Sequence, residues 1–577
     1  ITPNSPQVGL AFRRLAILDP DPRSNQPFHI GPLTLLFNGE IYNFRELKSE
    51  ISKLRPDYQW RTTGDTEVLL MAYEVWREKC IEKLNGMFAI AVWDQQKKEL
   101  FLARDRMGQK PLYFSLQNGI LGFSSEIAGL TSLIPHEFSE EAAAFYLAYG
   151  YSFSGQTIYP GVQQVQPGHV ITFADARQSA AQYFDPDEVP PTGAIPPQST
   201  THQFAQLVQT AVRRQLVSDV SLGVFLSGGI DSSVIAACAR REGAVRTFTI
   251  RFDDPRYDES PHAAAVARHL GTQHEEFHVS VDAAADLPKL AAAFGEPFGD
   301  SSALPTHCLA RETRRHVKVA LSGDGGDELF GGYDRYRAMR LARRLAPVSA
   351  LAPLGKKLRG HPKSHAARLG RFLGSLNLSA SERYDSYLRF FSDSQIAELM
   401  PSAKPPAAVE EIFQAMQKIK PDDVTAALAT DRRTYLPNDL LTKVDRCSML
   451  HALEVRSPFM DHQLVQFAAG LTSDQLLKGG PKRMLREAFA KDLPDFVFKR
   501  KKMGFAVPIG EWFRGELRAM LRDNLFASDS FAKSHFNMNV VQRLIDEHEQ
   551  ERVDHSQRLY ALLMLELWWR WHRGLAT

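Results

Sequence analysis

Short apolar runs closed by glycine or polar turns alternate along this chain with stretches of helical period. Residues 220–226, Val-Ser-Leu-Gly-Val-Phe-Leu, are apolar and β-branched enough for a buried parallel strand. Residues 234–240, Val-Ile-Ala-Ala-Cys-Ala-Arg, are rich in helix formers. The stretch between them, Ser227-Gly228-Gly229-Ile230-Asp231-Ser232-Ser233, is therefore a glycine turn from strand to helix. Downstream, 246–252 and 275–279 read as strands, 259–269 as a helix, and 317–321 as a strand that ends in a second glycine-rich loop. Upstream, 33–37, 86–93 and 99–103 read as strands and 45–54 and 65–76 as helices. That mixture predicts a layered α/β unit rather than a barrel. Asn38-Gly39, directly after 33–37, taken alone predicts a hairpin turn. Beyond residue 372 the pattern is predominantly helical.

Residues 187–199 hold four prolines and a glycine, the composition of a surface linker. The expected division is a first domain over 1–185, a linker over 186–199 and a second domain over 200–577. A chain of 577 residues exceeds what one core usually serves, which agrees with at least two domains. Lys plus Arg total 69 and Asp plus Glu total 67, a balance that argues against a dedicated nucleic-acid binder. The four cysteines, at 80, 238, 308 and 447, show no paired spacing and read as buried hydrophobes of a reducing, cytoplasmic compartment. There is no apolar run long enough for a membrane span and no basic-then-apolar leader.

The glycine turn at 227–233 carries the chemistry. Its glycines let backbone N–H groups approach a ligand, and the following helix N-terminus adds a positive field. Ser227, Ser232 and Ser233 can donate to phosphate oxygens. Asp231 would repel phosphate unless a cation stands between them, so it predicts Mg²⁺. The spacing is not that of the lysine-containing phosphate loop. The second loop, Ser322-Gly323-Asp324-Gly325-Gly326-Asp327-Glu328-Leu329-Phe330-Gly331-Gly332-Tyr333, has five glycines and three carboxylates. Following a parallel strand, it falls at the sheet edge where ligands bind. Residues 435–446 and 454–461 set polar groups in an apolar frame and are candidates to line a cleft. Arg104 and Arg106 read as ion-pair partners of Asp105 or its neighbours. His262, His269, His274 and His278 lack a metal-ligand pattern.

These motifs together, with Asn38-Gly39-Glu40-Ile41-Tyr42-Asn43, resemble the asparagine synthase (glutamine-hydrolysing) family, a class II glutamine amidotransferase, over nearly the whole chain. The resemblance implies an α/β fold. Its first part would be an N-terminal-nucleophile-type αββα glutaminase sandwich of two antiparallel sheets. Its second would be a five-stranded parallel-sheet synthetase domain of the ATP-pyrophosphatase, adenine nucleotide α-hydrolase-like, kind. It implies that Arg14 pairs with the glutamine α-carboxylate and Asp65 with its α-amine. Asn38 and Gly39 would form the oxyanion hole, with Glu40 lining the same pocket. Leu226, Ser227, Gly228, Gly229, Asp231, Ser232, Ile250, Ser322 and Gly323 would bind ATP and its pyrophosphate. Asp231 and Asp327 would hold Mg²⁺, and Lys502 would reach the phosphate. Asp324, Lys443 and Asp445 are the acceptor-pocket candidates, with Asp324 also catalytic.

The implied activity is ATP-dependent amidation of a carboxylate through an acyl-adenylate. L-Glutamine supplies ammonia along a largely apolar tunnel, L-aspartate is the first-ranked acceptor, and a homodimer is allowed. Asp324 stands where the best-known asparagine synthetases carry glutamate, which keeps open a sugar uronic acid, a peptide or a secondary-metabolite carboxylate as acceptor. A non-catalytic scaffold ranks last. The family nucleophile is an N-terminal cysteine, whereas this sequence opens on Ile1, so the expectation is an upstream extension that carries it.

Overall fold

A computed structural model describes residues 7–130, 133, 137–153, 155–174, 177–188, 197–345, 365–500 and 503–574. The first nine strands are β1 (Phe28–Ile30), β2 (Leu33–Ile41), β3 (Gly86–Asp94), β4 (Glu99–Arg104), β5 (Tyr113–Gln117), β6 (Ile120–Ser124), β7 (Val162–Gln164), β8 (His169–Ala174) and β9 (Arg177–Gln182). They form two sheets, ordered β1-β2-β3-β4-β8-β9 and β6-β5-β7. Every pairing is antiparallel. The alternation of β2 builds two cores at once. Leu35 and Phe37 pack with Ile51 and Leu70 of the helices Phe44–Leu54 and Asp65–Trp76. Leu36, on the other face, packs with Phe114 and Val165 between the sheets. The smaller sheet turns Tyr113 and Val162 to the helix Glu140–Tyr149. The layers run helix, sheet, sheet, helix.

The hairpin turn expected at Asn38-Gly39 does not form. β2 continues through it and pairs with β3 from Leu33↔Asp94 to Ile41↔Gly86. Gly39 takes φ +143°, and a Cβ there would lie 2.0 Å from the Met87 carbonyl oxygen. The glycine serves close strand approach, because a long ladder outweighs a local turn preference. Arg104 and Arg106 also differ from expectation. Arg104 donates to the carbonyls of Lys110, Gly108 and Val165 at 2.8–2.9 Å. Arg106 donates to the carbonyls of Leu84 and Glu82. The Asp105 carboxylate instead accepts the backbone N–H groups of Gln109 and Lys110 at 2.9 and 2.8 Å. In a tight buried turn the nearest unsatisfied groups are backbone ones.

The second unit has β10 (Leu222–Phe225), β11 (Arg246–Arg251), β12 (Gln273–His278), β13 (Val319–Leu321) and β14 (Glu454–Arg456). The sheet is parallel and ordered β12-β11-β10-β13-β14. The chain leaves β10 for one side and later returns to its other side as β13. That reversal opens a crevice at the strand ends, between the loops after β10 and β13. The helix Ile230–Glu242 covers one face through Val234 and Ile235, and Ala310 and Val444 cover the other.

Of the expected linker, 189–196 lies outside the described residues. A helix, Pro197–Gln215, starts inside the expected span. Asp187 is already anchored to the second unit by Arg432 and Lys420, each at 3.1 Å. All four cysteines are buried and unpaired in disulfides. The last helix, Ser556–His572, donates from Trp568 Nε1 to the Tyr159 hydroxyl at 3.0 Å, pinning the chain end between the units. Among the described residues no helix is long and apolar enough to cross a membrane.

Candidate active site

Two polar centres face one another through the domain boundary. In the first, Asn38 and Glu40 project from the same face of β2. Asn38 Nδ2 donates to Ser125 Oγ at 3.3 Å. Asp65, at the start of its helix, accepts the Ile41 N–H at 2.9 Å. Burial raises the Asp65 carboxyl to about 6 and lifts Glu40 well above the usual carboxylate range, with Glu454 and Asp65 adding to the effect on Glu40. Burial therefore favours the neutral form of both carboxyls, and a neighbouring ammonium group would draw them toward the ionised form. Arg14 donates to the carbonyls of Leu18 and Asp19 at 2.7 Å, to that of Asp21 at 3.2 Å and to Asn25 Oδ1 at 3.4 Å. It shapes the loop around Asp19, which in turn accepts the Thr63 N–H beside Asp65.

In the second centre the loop after β10 is ordered by its own serines. Ser227 N–H donates to Ser232 Oγ at 3.1 Å, and Gly229 N–H donates to Ser227 Oγ at 3.3 Å. Leu226 N–H is held by the Phe248 carbonyl at 2.9 Å. Gly323 permits the loop after β13 to close on this one, since a Cβ there would lie 2.7 Å from Ser232 N. Ser322 is buried and bonds Ser457 Oγ at 3.2 Å. Ile250 packs its side chain into the core with Val279 and Cys308, so only its backbone faces the sheet edge.

Lys482 ties the two loops together. Its Nζ bonds Asp231 and lies 2.6 Å from Asp327 Oδ1. Burial opposes its charge, yet the two carboxylates outweigh burial and raise its pKa. The sequence carries no motif for this residue: a lone lysine after Gly479-Gly480-Pro481 looks like surface, and only the packing of its short helix, Arg483–Ala488, buries it. Lys502, expected in a comparable role, lies outside the described residues. Among the described residues no group of three or more His, Cys, Asp or Glu is placed to hold a metal ion. Asp231 and Asp327 already share one cationic group, so the two carboxylates would suit a divalent ion that a bound phosphate brings with it.

Beyond Gly323 lies a third cluster. Burial raises the Asp324 carboxyl despite a bond to Ser322 and the nearby Lys443. Lys443 Nζ lies 2.8 Å from both Asp300 Oδ2 and Ser302 Oγ. Burial opposes ionisation of Asp300, but Lys443 and Ser302 hold it at about 2. Asp445 does not join this pocket. Its carboxylate accepts from Lys110 Nζ of the first unit at 2.9 Å, with both groups buried. Residues two apart on the helix Leu441–Met449 point to opposite sides, which separates Asp445 from Lys443.

Polar and charged groups of the two units meet at their boundary. Arg456 Nη2 stands 3.5 Å from Glu40 Oε2, and its Nε bonds Glu454 at 2.8 Å. Arg446 donates to the Ser125 carbonyl at 3.0 Å, next to Asn38. Asn85 of the first unit donates to Asp461 at 2.9 Å. Arg456, Arg446 and Asp461 of the second unit thus meet Glu40, Ser125 and Asn85 of the first. Arg446 closes the 435–446 stretch expected to line a cleft, whereas Ser125 and Asp300 had no signal of their own, because their roles arise only from the contact of distant segments.

Comparison with known proteins matches both units. The asparagine synthase family model matches residues 203–570, and the glutamine amidotransferase domain model matches residues 2–184. A Mycobacterium bovis protein provisionally named as a glutamine-hydrolysing asparagine synthetase is 34% identical over 97% of this chain and 88% of its own length. Glutamine-hydrolysing asparagine synthetase 1 of Bacillus subtilis is 31% identical over 97% of this chain and 89% of its own. The amidase chry2 of Gibberella zeae is 26% identical over 89% of this chain and 83% of its own. An antiparallel-sheet unit followed by a parallel-sheet unit, with both family models matched in that order, makes this chain an enzyme of the asparagine synthase family, an asparagine-synthetase-like glutamine amidotransferase and ligase.

Proposed function

We propose that the chain amidates a carboxylate, L-aspartate first among candidates, using ATP and ammonia from glutamine, and releases AMP and pyrophosphate. The observation that carries this reading is the pairing of Asp231 and Asp327 across the two glycine loops, with Asp324 and Lys443 directly beyond. A triphosphate would lie in the nest of Ser227, Gly228, Gly229 and Ser232, at the N-terminus of the helix Ile230–Glu242. Asp231 and Asp327 would hold Mg²⁺, which supplies charge neutralisation for departing pyrophosphate.

The remaining steps belong to this chain's own groups. Lys443 and the Gly323 turn would orient the acceptor, whose carboxylate oxygen attacks the α-phosphorus as the bond to pyrophosphate breaks. Lys482 would stabilise the charge that builds on the phosphate oxygens. Ammonia would then attack the acyl carbon, AMP would leave with its bonding pair, and Asp324 would take the proton shed by nitrogen. In the first unit, Asp65 and Glu40 would hold the glutamine ammonium. Asn38 Nδ2 and the Gly39 N–H would bind the oxyanion of its amide.

Radiolabelled ATP tests the reading. AMP and pyrophosphate, formed only with a carboxylate present, are expected; ADP points to a kinase-like reaction, and no turnover to a scaffold. Asp231→Asn should abolish pyrophosphate release while L-glutamine still binds. A sugar acid or a peptide stimulating ATP–pyrophosphate exchange more than L-aspartate would move the acceptor to that class.

A further inference from the structure

The glycine loop after β10 is held by two side chains that the reaction above does not use. Arg500 stands just past the short helix Asp495–Lys499. Its Nη1 donates to the Ser227 carbonyl at 3.3 Å, and its Nη2 bonds the Glu259 carboxylate. Both side chains are largely buried. Glu259 is the residue before the helix Ser260–Leu270, whose first turn presses on the loop: a Cβ on Gly228 would lie 2.7 Å from His262 Cβ. Burial raises the Glu259 carboxyl to about 7, and Arg500 draws it back toward the ionised form. A guanidinium has its donors in a rigid fork, so one arginine can hold a carbonyl and a carboxylate together.

The carbonyl it holds bears on the loop's donors. A trans peptide is planar, and its C=O and the following N–H point in opposite directions. Fixing the Ser227 carbonyl toward Arg500 therefore turns the Gly228 N–H away from Arg500. Among the described residues no protein group accepts that N–H. Gly228 has φ +72°, and a glycine has little stiffness of its own to keep the peptide in one orientation.

We propose that Arg500 is a positioning residue of the nucleotide site: through the Ser227 carbonyl it aims the Gly228 N–H at the terminal phosphates of ATP, and Glu259 keeps the guanidinium in place. A peptide polarised at its oxygen also donates more strongly from its nitrogen. This inference rests on the reading of 227–233 as a phosphate nest and adds to it the residues that set the nest's geometry.

The test is calorimetric titration of the full chain with Mg·ATP and with AMP, which lacks the two terminal phosphates. Arg500→Met should raise the Kd for Mg·ATP about tenfold, the loss of one well-aimed hydrogen bond to a charged group, and leave the Kd for AMP unchanged. Arg500→Lys keeps the charge but not the fork and should show a smaller rise; it carries the test if Arg500→Met fails to fold by circular dichroism. Free guanidinium ion at millimolar concentration should restore part of the Mg·ATP affinity of Arg500→Ala. An unchanged Kd for Mg·ATP in the variants, or equal weakening of Mg·ATP and AMP, overturns the proposal, the second because it marks a general loss of structure. A wild type that binds AMP but not Mg·ATP removes the phosphate nest and this inference with it. A wild type that binds Mg·ATP yet forms no AMP and pyrophosphate with any carboxylate removes the amidation reading alone, and the titrations still decide the role of Arg500.

Discussion

The Nζ of Lys482 lies 2.6 Å from Oδ1 of Asp327, and the same ammonium also bonds Asp231. One buried cation thus links the carboxylates of two loops that are far apart in sequence. Replacing Lys482 with methionine would leave two carboxylates facing each other, a loss of about 3–5 kcal/mol for a broken buried pair. ATP–pyrophosphate exchange should fall by at least about 10²-fold. Mg²⁺ should raise the Tm of this variant more than that of the wild type, because the ion can stand where the ammonium stood. Exchange at the wild-type rate in Lys482→Met would sink the assignment.

Glutamine binding should weaken in acid. Burial holds the Asp65 carboxyl at about 6, above its ordinary 3.8, and only its ionised form attracts an ammonium. The Kd for L-glutamine, measured by calorimetry, should be flat above pH 6 and rise about tenfold per pH unit below it. The stability linkage has the opposite sense. A carboxyl raised in the folded state contributes stability that is complete below its unfolded pKa and is lost as pH rises through about 6. Asp65→Asn should remove the pH break in binding; a break that persists would show that another group titrates.

Arg456 is fully buried between Glu40 and Glu454, and its Nη1 donates to the carbonyls of Gln215 and Val217 at 2.7 Å. Arg456→Met should destabilise the protein by about 3–5 kcal/mol, since it strands two buried acids. Its Tm should drop and L-glutamine should bind more weakly through Glu40. A Tm within a degree of the wild type would contradict this account.

Gly39→Ala should be tolerated far less than an ordinary strand substitution. The added Cβ meets the Met87 carbonyl oxygen, and φ +143° is a conformation that alanine rarely adopts. The expected result is loss of soluble protein or a large fall in Tm, read by circular dichroism. A stable, normally folded variant would mean that β2 and β3 can separate there.

Much of the fold was legible because the apolar runs are local and strongly patterned. The run through Phe225 lies where the pattern places a strand, and the helix that follows opens at Ile230, inside the stretch read as the glycine turn. Asn38-Gly39 misled, since a dipeptide preference cannot register the nine-residue ladder formed with β3. Arg104 and Arg106 misled for a related reason: alternating charges suggest ion pairs, and only the folded turn reveals how many carbonyls surround them.

By itself the sequence determined the order of elements, the two glycine loops and the residue types that meet phosphate and glutamine. Those properties depend on neighbours in the chain, through backbone freedom at glycine and the period of apolar side chains. Tertiary structure alone decided that Lys482 stands between Asp231 and Asp327 and that Asp445 answers Lys110 instead of joining Lys443. Each of these is a match between charges brought together from distant segments. Burial sets how much each charge costs and which partner it takes, and burial is a property of the packed whole.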